Sequence, residues 1–445
     1  MHWKATTFLI CTYGVVKEFR PATPFLTPFL VSHYKNLTLE EVYGQIYPFW
    51  TYSYLVALIP VFFLTDILRY KPVIVLEACC LCGTWAFLVW GQGVWEMQLM
   101  QIIFGLSSAS EIAYYSYMYA IVDEKHYKMV TSYIRSAAMV GKLFAFTLGQ
   151  ILVSTGSGSY LLLNQISFGS CSAVVLIALF LPRVPARRVE RQTRITMITA
   201  EEVPHGANDV EPTRAEIERT KLDHGLKVYL INTLKGFIVY KKNYFVLKWS
   251  IWWALASCGM YQVYNYMQTL WIAMQPDPEK VDNGIAECAN TLSSAILSFV
   301  IQYLSINWLR YGELTLSLSS LIISAVLAVL SQINKIIVAY IGYVLCTAIY
   351  NMLITAASAN IASELTASNY GLVFGWNTFV AVLLQSILTF AVADSHGFNL
   401  AIRAQFIVYS VYFGCVGMLF IIFMITSRYI WPKIQRYRQE SNSNA

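Results

Sequence analysis

Two charged residues stand inside long apolar runs, Glu111 in the stretch 97–122 and Lys142 in the stretch 129–154. A charge held near the middle of a bilayer costs at least about 2.5–3.5 kcal/mol, so such a residue is expected to pair, to face water, or both. Gln101, Phe104, Glu111 and Tyr115 follow one another at intervals of 3, 7 and 4, which sets them along one helical stripe. Arg135 lies seven residues before Lys142 and shares its face. The two stripes are expected to line a hydrated chamber. The structural alternative is an ion pair from Glu111 to Lys142 or Arg135 that only holds two helices together. A pair that changes partners when a ligand arrives would act as a gate.

Aromatic side chains are the second signal. The chain has 30 tyrosines and 12 tryptophans, clustered in Tyr47-Pro48-Phe49-Trp50-Thr51-Tyr52-Ser53-Tyr54, in Tyr114 to Tyr119 and in Tyr261 to Tyr266. Ring faces with hydroxyl tips suit a flat, partly polar ligand, most of all a cationic ring; helix packing and interfacial anchoring are the alternative use. Gln262 and Asn265 fall in the third cluster, where a buried amide requires partners. Arg20-Pro21, with Pro24 and Pro28, breaks the first segment, and Arg20 either lines the site or locks the helix. Hydrolytic and nucleotide-binding patterns are absent, and the six histidines fall near segment ends or in loops. The nine cysteines lack metal-ligand spacing. An enzyme, a cofactor and a metal are therefore not expected.

The elements that must position these residues are membrane helices. With 57% hydrophobic and 13% charged residues the chain is far more apolar than soluble proteins, which carry about 25% charge. Apolar segments long enough to span a bilayer lie near 6–33, 43–65, 73–92, 97–122, 129–154 and 160–182, then near 244–272, 284–304, 311–332, 336–362, 370–393 and 402–427. The first carries Lys17, Glu18 and Arg20 without a cleavage-type sequence after it and is expected to stay as helix one. The expected fold is an all-α membrane protein of twelve transmembrane helices, major-facilitator-like, in two six-helix halves. Its divisions are 1–182, a charged linker 183–242, 243–428 and a tail 429–445. Leu226 to Tyr240 could lie on the membrane surface as an amphipathic helix or serve as a solvated tether.

Basic residues collect on the linker side, so both termini are expected in the cytoplasm; this insertion bias explains the net charge of +6 without nucleic acid. Asn36-Leu37-Thr38 is a glycosylation sequon in the first loop on the opposite side. Asp66-Ile67-Leu68-Arg69-Tyr70 echoes Asn307-Trp308-Leu309-Arg310-Tyr311 at the same place in each half, with Asp66 and Arg69 as gating or structural charges.

Longer motifs carry a family resemblance. The run YPFWTYSYLVALIPVFFLTDILRYKPV from Tyr47 to Val73 resembles a signature of the reduced folate and thiamine carriers, solute carrier family 19. So do Arg20-Pro21 with the following PFLTPFL, KNLT, EIAYYSYMYAIV, SYIRS, GQILVS, WSIWWALASCGMYQVYNYMQTLW and LVFGWNTF. The resemblance implies the major-facilitator fold and carriage of thiamine or folate across the plasma membrane, folates by exchange with other anions. Folate carriers place cations at the positions of Glu111, Thr347 and Ala404, which are absent here, whereas Glu111 agrees with the thiamine branch. Thiamine is thus favoured and folate is the alternative, with a receptor or scaffold that has lost transport as a further one. Departures are Gln101 and Thr23 where the family has Glu, Phe104 where the thiamine branch has a hydroxylated ring, and Lys142 in place of a tyrosine. Lys142 suits an anionic substrate. Trp50, Tyr47 and Asn265 fit the family's pocket. The expected partners are the vitamin, the lipid bilayer and a co-transported or exchanged ion.

Overall fold

The computed structural model describes residues 3–68, 70–121, 127–182, 240, 243–275, 281–301, 303–304, 306–365 and 370–426. Among them are helices and no strand. The first half holds α1 (Trp3–Glu18), a short α2 (Leu26–Val31), α3 (Tyr47–Ile67), α4 (Lys71–Trp90), α5 (Gly93–Ile121), α6 (Tyr127–Ser154) and α7 (Tyr160–Phe180). The second holds α8 (Tyr244–Met274), α9 (Asn283–Val300), α10 (Trp308–Gln332), α11 (Ile336–Ser363), α12 (Tyr370–Val392) and α13 (Ile402–Ile425). Apart from α2 these are twelve long helices, six to a half. Among the described residues, seven helical stretches are long and apolar enough to cross a membrane by length and composition alone.

Local chemistry sets several helix ends. Asn243 accepts from the Phe245 and Val246 amides to open α8, Ser159 accepts from Leu162 to open α7, and Asn307 accepts from Arg310 to open α10. The first span is broken where the prolines require it. α1 stops at Glu18, one short turn covers Thr23–Phe25, and α2 follows. The sequence echo between the halves is used differently in each. Leu309-Arg310-Tyr311 forms the first turn of α10, whereas Leu68 and Tyr70 fall between α3 and α4, with Tyr70 at φ 65°.

Two cores result. One, lined by Ile10, Tyr13, Ala78, Ala113, Tyr117 and Ile134, fills the linker end of the first half. The other joins Phe25, Phe29 and Ile46 to Trp271, Tyr343 and Phe406, so at the end bearing Asn36 the halves share packing. Two glycines permit the closest helix approaches near the charged residues. A Cβ on Gly141 of α6 would collide with the Val15 carbonyl of α1, and one on Gly105 of α5 with the Trp50 turn of α3.

Hydrogen bonds between the halves gather at the Asn36 end. Gln268 of α8 donates to the Thr23 carbonyl at 2.9 Å and accepts from the Thr27 amide at 3.2 Å. Asn283 donates to the Pro24 carbonyl at 2.9 Å, the Gly284 amide to Gln150 at 2.9 Å, and Tyr52 to Asp394 at 2.6 Å. The tail and the linker other than Tyr240, including the stretch 226–239, lie outside the described residues.

Candidate functional site

The broken end of α1 brings three charges into the first half. Lys17, in the last turn of α1, reaches two carboxylates: Glu77 from α4, in direct contact, and Glu111 from α5 at 2.9 Å. The Lys17 and Glu77 side chains are 5% and 1% exposed, whereas Glu111 is 38% exposed. Tyr13 donates to Glu77 Oε2 at 3.1 Å, and the Tyr114 ring lies 5.0 Å from the Lys17 ammonium. A second cluster follows directly. Glu18 takes the Arg20 guanidinium at 2.9 Å and, more loosely, Lys142 at 3.7 Å; Lys142 is 44% exposed.

Both exposed charges face the boundary between the halves. Glu111 is within electrostatic reach of Tyr54 on α3 and of Tyr261 on α8, and Lys142 within reach of Glu287 on α9. Glu287 accepts from Tyr343 at 2.9 Å and from Asn290 at 3.1 Å, in a ladder that Ser294 and Asn351 extend to the Tyr264 hydroxyl. Beside Glu111, Trp50 stacks on Tyr54 at 6.0 Å and on Phe104 at 6.2 Å, and its indole donates to Ser108 at 3.0 Å. The Asn265 side-chain amide nitrogen is buried with no hydrogen-bond partner. Chemically this is a boundary with two carboxylates, Glu111 and Glu287, one ammonium and a stacked aromatic wall.

Several expectations change. Glu111 pairs with Lys17, not with Lys142 or Arg135, because the end of α1 wedges between α5 and α6 and supplies a nearer cation. Lys142 turns to Glu18. Arg135 is exposed and joins neither cluster. Tyr47 is buried with its hydroxyl 2.6 Å from that of Thr27. Gln262 is buried and donates to the Gln385 carbonyl and to Thr389, so its amide serves packing inside the second half. Gln101 is also buried, while Thr23 meets the other half through its carbonyl. Arg20 is locked to Glu18 with its Nε unpartnered. Asn36 is exposed at φ 52°, and Thr38 exchanges hydrogen bonds with Glu41. The Asp66 side chain and Arg69 lie outside the described residues.

Sequence reasoning missed Glu77 and Glu287 and assigned Lys17 and Glu18 no site role. Glu77 stands in the apolar run Val73 to Cys82, the same signal that singled out Glu111.

The reduced folate carrier family model matches residues 1–408. Folate transporter 1 of Caenorhabditis elegans is 52% identical over 427 residues, covering 96% of this chain and 93% of the relative. Thiamine transporter 1 of Homo sapiens is 40% identical over 442 residues, covering 94% and 89%. Among solved structures, the nucleoside transporter NupG superposes with a TM-score of 0.61 at 14% identity, covering 96% of this chain and 100% of that one. The inward-open xylose transporter XylE from E. coli gives 0.62 at 12% identity, covering 94% and 95%. The fold is thus that of major-facilitator transporters, and the match over nearly the whole length places this chain in the reduced folate carrier family.

Proposed function

We propose that this chain is a carrier for a water-soluble vitamin of the folate class, working by rocking of residues 1–182 against 243–428 about the boundary that holds Glu111 and Lys142. The observation that carries the anionic substrate is the state of Lys142. Its nearest carboxylate, Glu18, is already held by Arg20, so Lys142 presents a loosely compensated ammonium where Glu111 presents a carboxylate already bound to Lys17. A folate brings carboxylates for the ammonium and a flat ring, bearing amino hydrogens, for the Trp50–Phe104 wall and Glu111. The 52% identity to a folate transporter supports the same reading.

Thiamine is the second reading, and Glu111 favours it: a carboxylate beside stacked rings attracts a cationic heterocycle, and thiamine transporters are close to 40% identical. In either case the bonds gathered at the Asn36 end support a state closed on that side, which we assign to the outside of the plasma membrane, with both termini in the cytoplasm. The sequon at Asn36 fits this orientation.

Uptake of labelled reduced folate and of labelled thiamine, measured separately in cells expressing the chain, tests the substrate. Saturable folate uptake, reduced about tenfold in efficiency by Lys142→Gln at unchanged surface expression, is the expected result and corresponds to about 1.4 kcal/mol. Thiamine uptake alone would transfer the assignment to the second reading. Saturable uptake of neither overturns both.

A further inference from the structure

Recognition by Lys142, Glu111 and the aromatic wall leaves Glu287 without a task, although it faces the same boundary. The seam between α6 and α9 fixes its place. The Gly284 amide donates to the Gln150 side chain at 2.9 Å, and a Cβ on Gly284 would stand 2.8–3.0 Å from that side chain and the Phe146 carbonyl. One turn along, the Cys288 thiol lies 3.5 Å from the Thr147 hydroxyl and 3.9 Å from the Leu143 carbonyl. Glu287 is flanked by these two contacts on α9, and Lys142 directly precedes Leu143 on α6, so the seam sets the two charges opposite each other. Their approach stops short of an ion pair: the carboxylate that Lys142 meets, at 3.7 Å, is Glu18. Glu287 is held from behind instead. Tyr343 donates to its Oε1 at 2.9 Å and Asn290 to its Oε2 at 3.1 Å. Asn290 accepts from Ser294, which accepts from Asn351, so the brace continues across α9 and α11. These donors are all neutral. A braced carboxylate beside an ammonium weakens that ammonium's pull on anions farther off and repels a second anion brought near it.

We propose that Glu287 is a specificity-determining residue that sets how much negative charge the tail of a substrate can bring to Lys142. This rests on the folate reading above, in which the substrate's carboxylates meet the Lys142 ammonium. The first carboxylate seats on Lys142, whose hold on Glu18 is loose because Arg20 already serves that residue. Each further carboxylate then lies in the field of Glu287, which cannot turn aside because Tyr343 and Asn290 hold both of its oxygens. The other cations near the boundary are committed, Lys17 to Glu77 and Glu111 and Arg20 to Glu18. A folate carrying a single glutamate is therefore accepted, and one whose tail is extended by a further γ-linked glutamate, with its added carboxylate, is disfavoured. Arg135 is the rival influence. It is exposed about 10 Å along α6 from Lys142, on the same face, and would favour the longer tail if it took the added charge.

The experiment uses the full chain in detergent and reads competition against labelled reduced folate. Three probes compete: a reduced folate with a single glutamate, the same compound with a second, γ-linked glutamate, and the same compound with a γ-linked glutamine, which lengthens the tail and adds no net charge. Wild-type protein should bind the single-glutamate form about tenfold more tightly than the diglutamate and about as tightly as the glutamine form. Glu287→Gln should bring the diglutamate within about threefold of the single-glutamate form. Lys142→Gln with Glu287→Gln removes both opposed charges together, should bind all three forms weakly and alike, and guards against a single variant that fails to fold. A tenfold preference that survives in either variant overturns the proposal. So does wild-type protein that binds both glutamate forms equally, that favours the longer tail, or that rejects the glutamine form as strongly as the diglutamate. Wild-type protein that binds no folate removes the substrate reading itself, a failure distinct from binding without discrimination.

Discussion

Each half ties its first helix to its third by a lysine and a glutamate, and the two ties differ in kind. In the second half Lys248 of α8 meets Glu313 of α10 at 2.9 Å, with both side chains 5% exposed and the Phe245 ring 5.5 Å from the ammonium. In the first half Lys17 of α1 meets Glu77 of α4 and also Glu111 of α5. Lys248 serves one carboxylate and Lys17 serves two. The same pair of helices, repeated, thus gives a sealed tie on one side and an unbalanced, half-exposed one on the other. A balanced buried pair fixes geometry and has little to respond to, whereas a shared counter-ion can shift with whatever charge arrives. The position of the lysine explains the difference: Lys248 lies near the start of an uninterrupted 31-residue helix, while Lys17 lies in the last turn of α1, just before the proline break, where it reaches α5.

The largest expected effect comes from breaking either tie singly. Lys248→Met and Lys17→Met each take the lysine cation from a buried carboxylate, and a loss of about 3–5 kcal/mol is expected, read as a fall in the melting temperature of detergent-solubilised protein. The two should separate with pH. Glu77 has a route to the boundary through the space that Lys17 leaves beside Glu111, so the Lys17→Met deficit should shrink as pH falls and a proton replaces the missing cation, more than the Lys248→Met deficit does. Equal pH responses would mean that both ties are structural.

Removing both members of a tie is the gentler test. Lys248→Met with Glu313→Leu should leave stability within about 1–2 kcal/mol of the parent and uptake intact, because an apolar pair of similar volume replaces a balanced one. Loss of uptake at normal surface expression would show that the second tie also takes part in transport.

The smallest effect concerns the loop that caps the closed end. Thr38 and Glu41 form a reciprocal cap on the helical turn before α3, so Thr38→Ala should cost about 1 kcal/mol without altering uptake. Asn36→Gln removes the same sequon and leaves the cap in place. A matching mobility change on gels for both variants, with a stability loss for Thr38→Ala alone, separates glycosylation from capping.

Much of the architecture was legible in the sequence because membrane spans are local objects. A run of apolar residues declares a helix whatever its neighbours are, and the helix ends at Asn243, Asn307 and the Arg20-Pro21 break follow from side chains within a few positions. Glu111 and Lys142 stood out for the same reason, as charges with no local means of being solvated. The tyrosines and amides were less legible. Tyr47 and Gln262 look as suited to a ligand as Trp50 or Asn265, but they spend their hydrogen bonds on Thr27, Gln385 and Thr389.

What the sequence by itself determined is the number of helices, their breaks, and the presence of charges that need partners. Only the tertiary structure decided who the partners are. Pairing depends on the rotation and crossing of helices that approach at glycines such as Gly141 and Gly105, and it makes Lys17, from α1, the neighbour of Glu111 and turns Lys142, from α6, to Glu18. That choice, made by packing between residues 94 positions apart, separates a simple inter-helix bridge from a shared counter-ion.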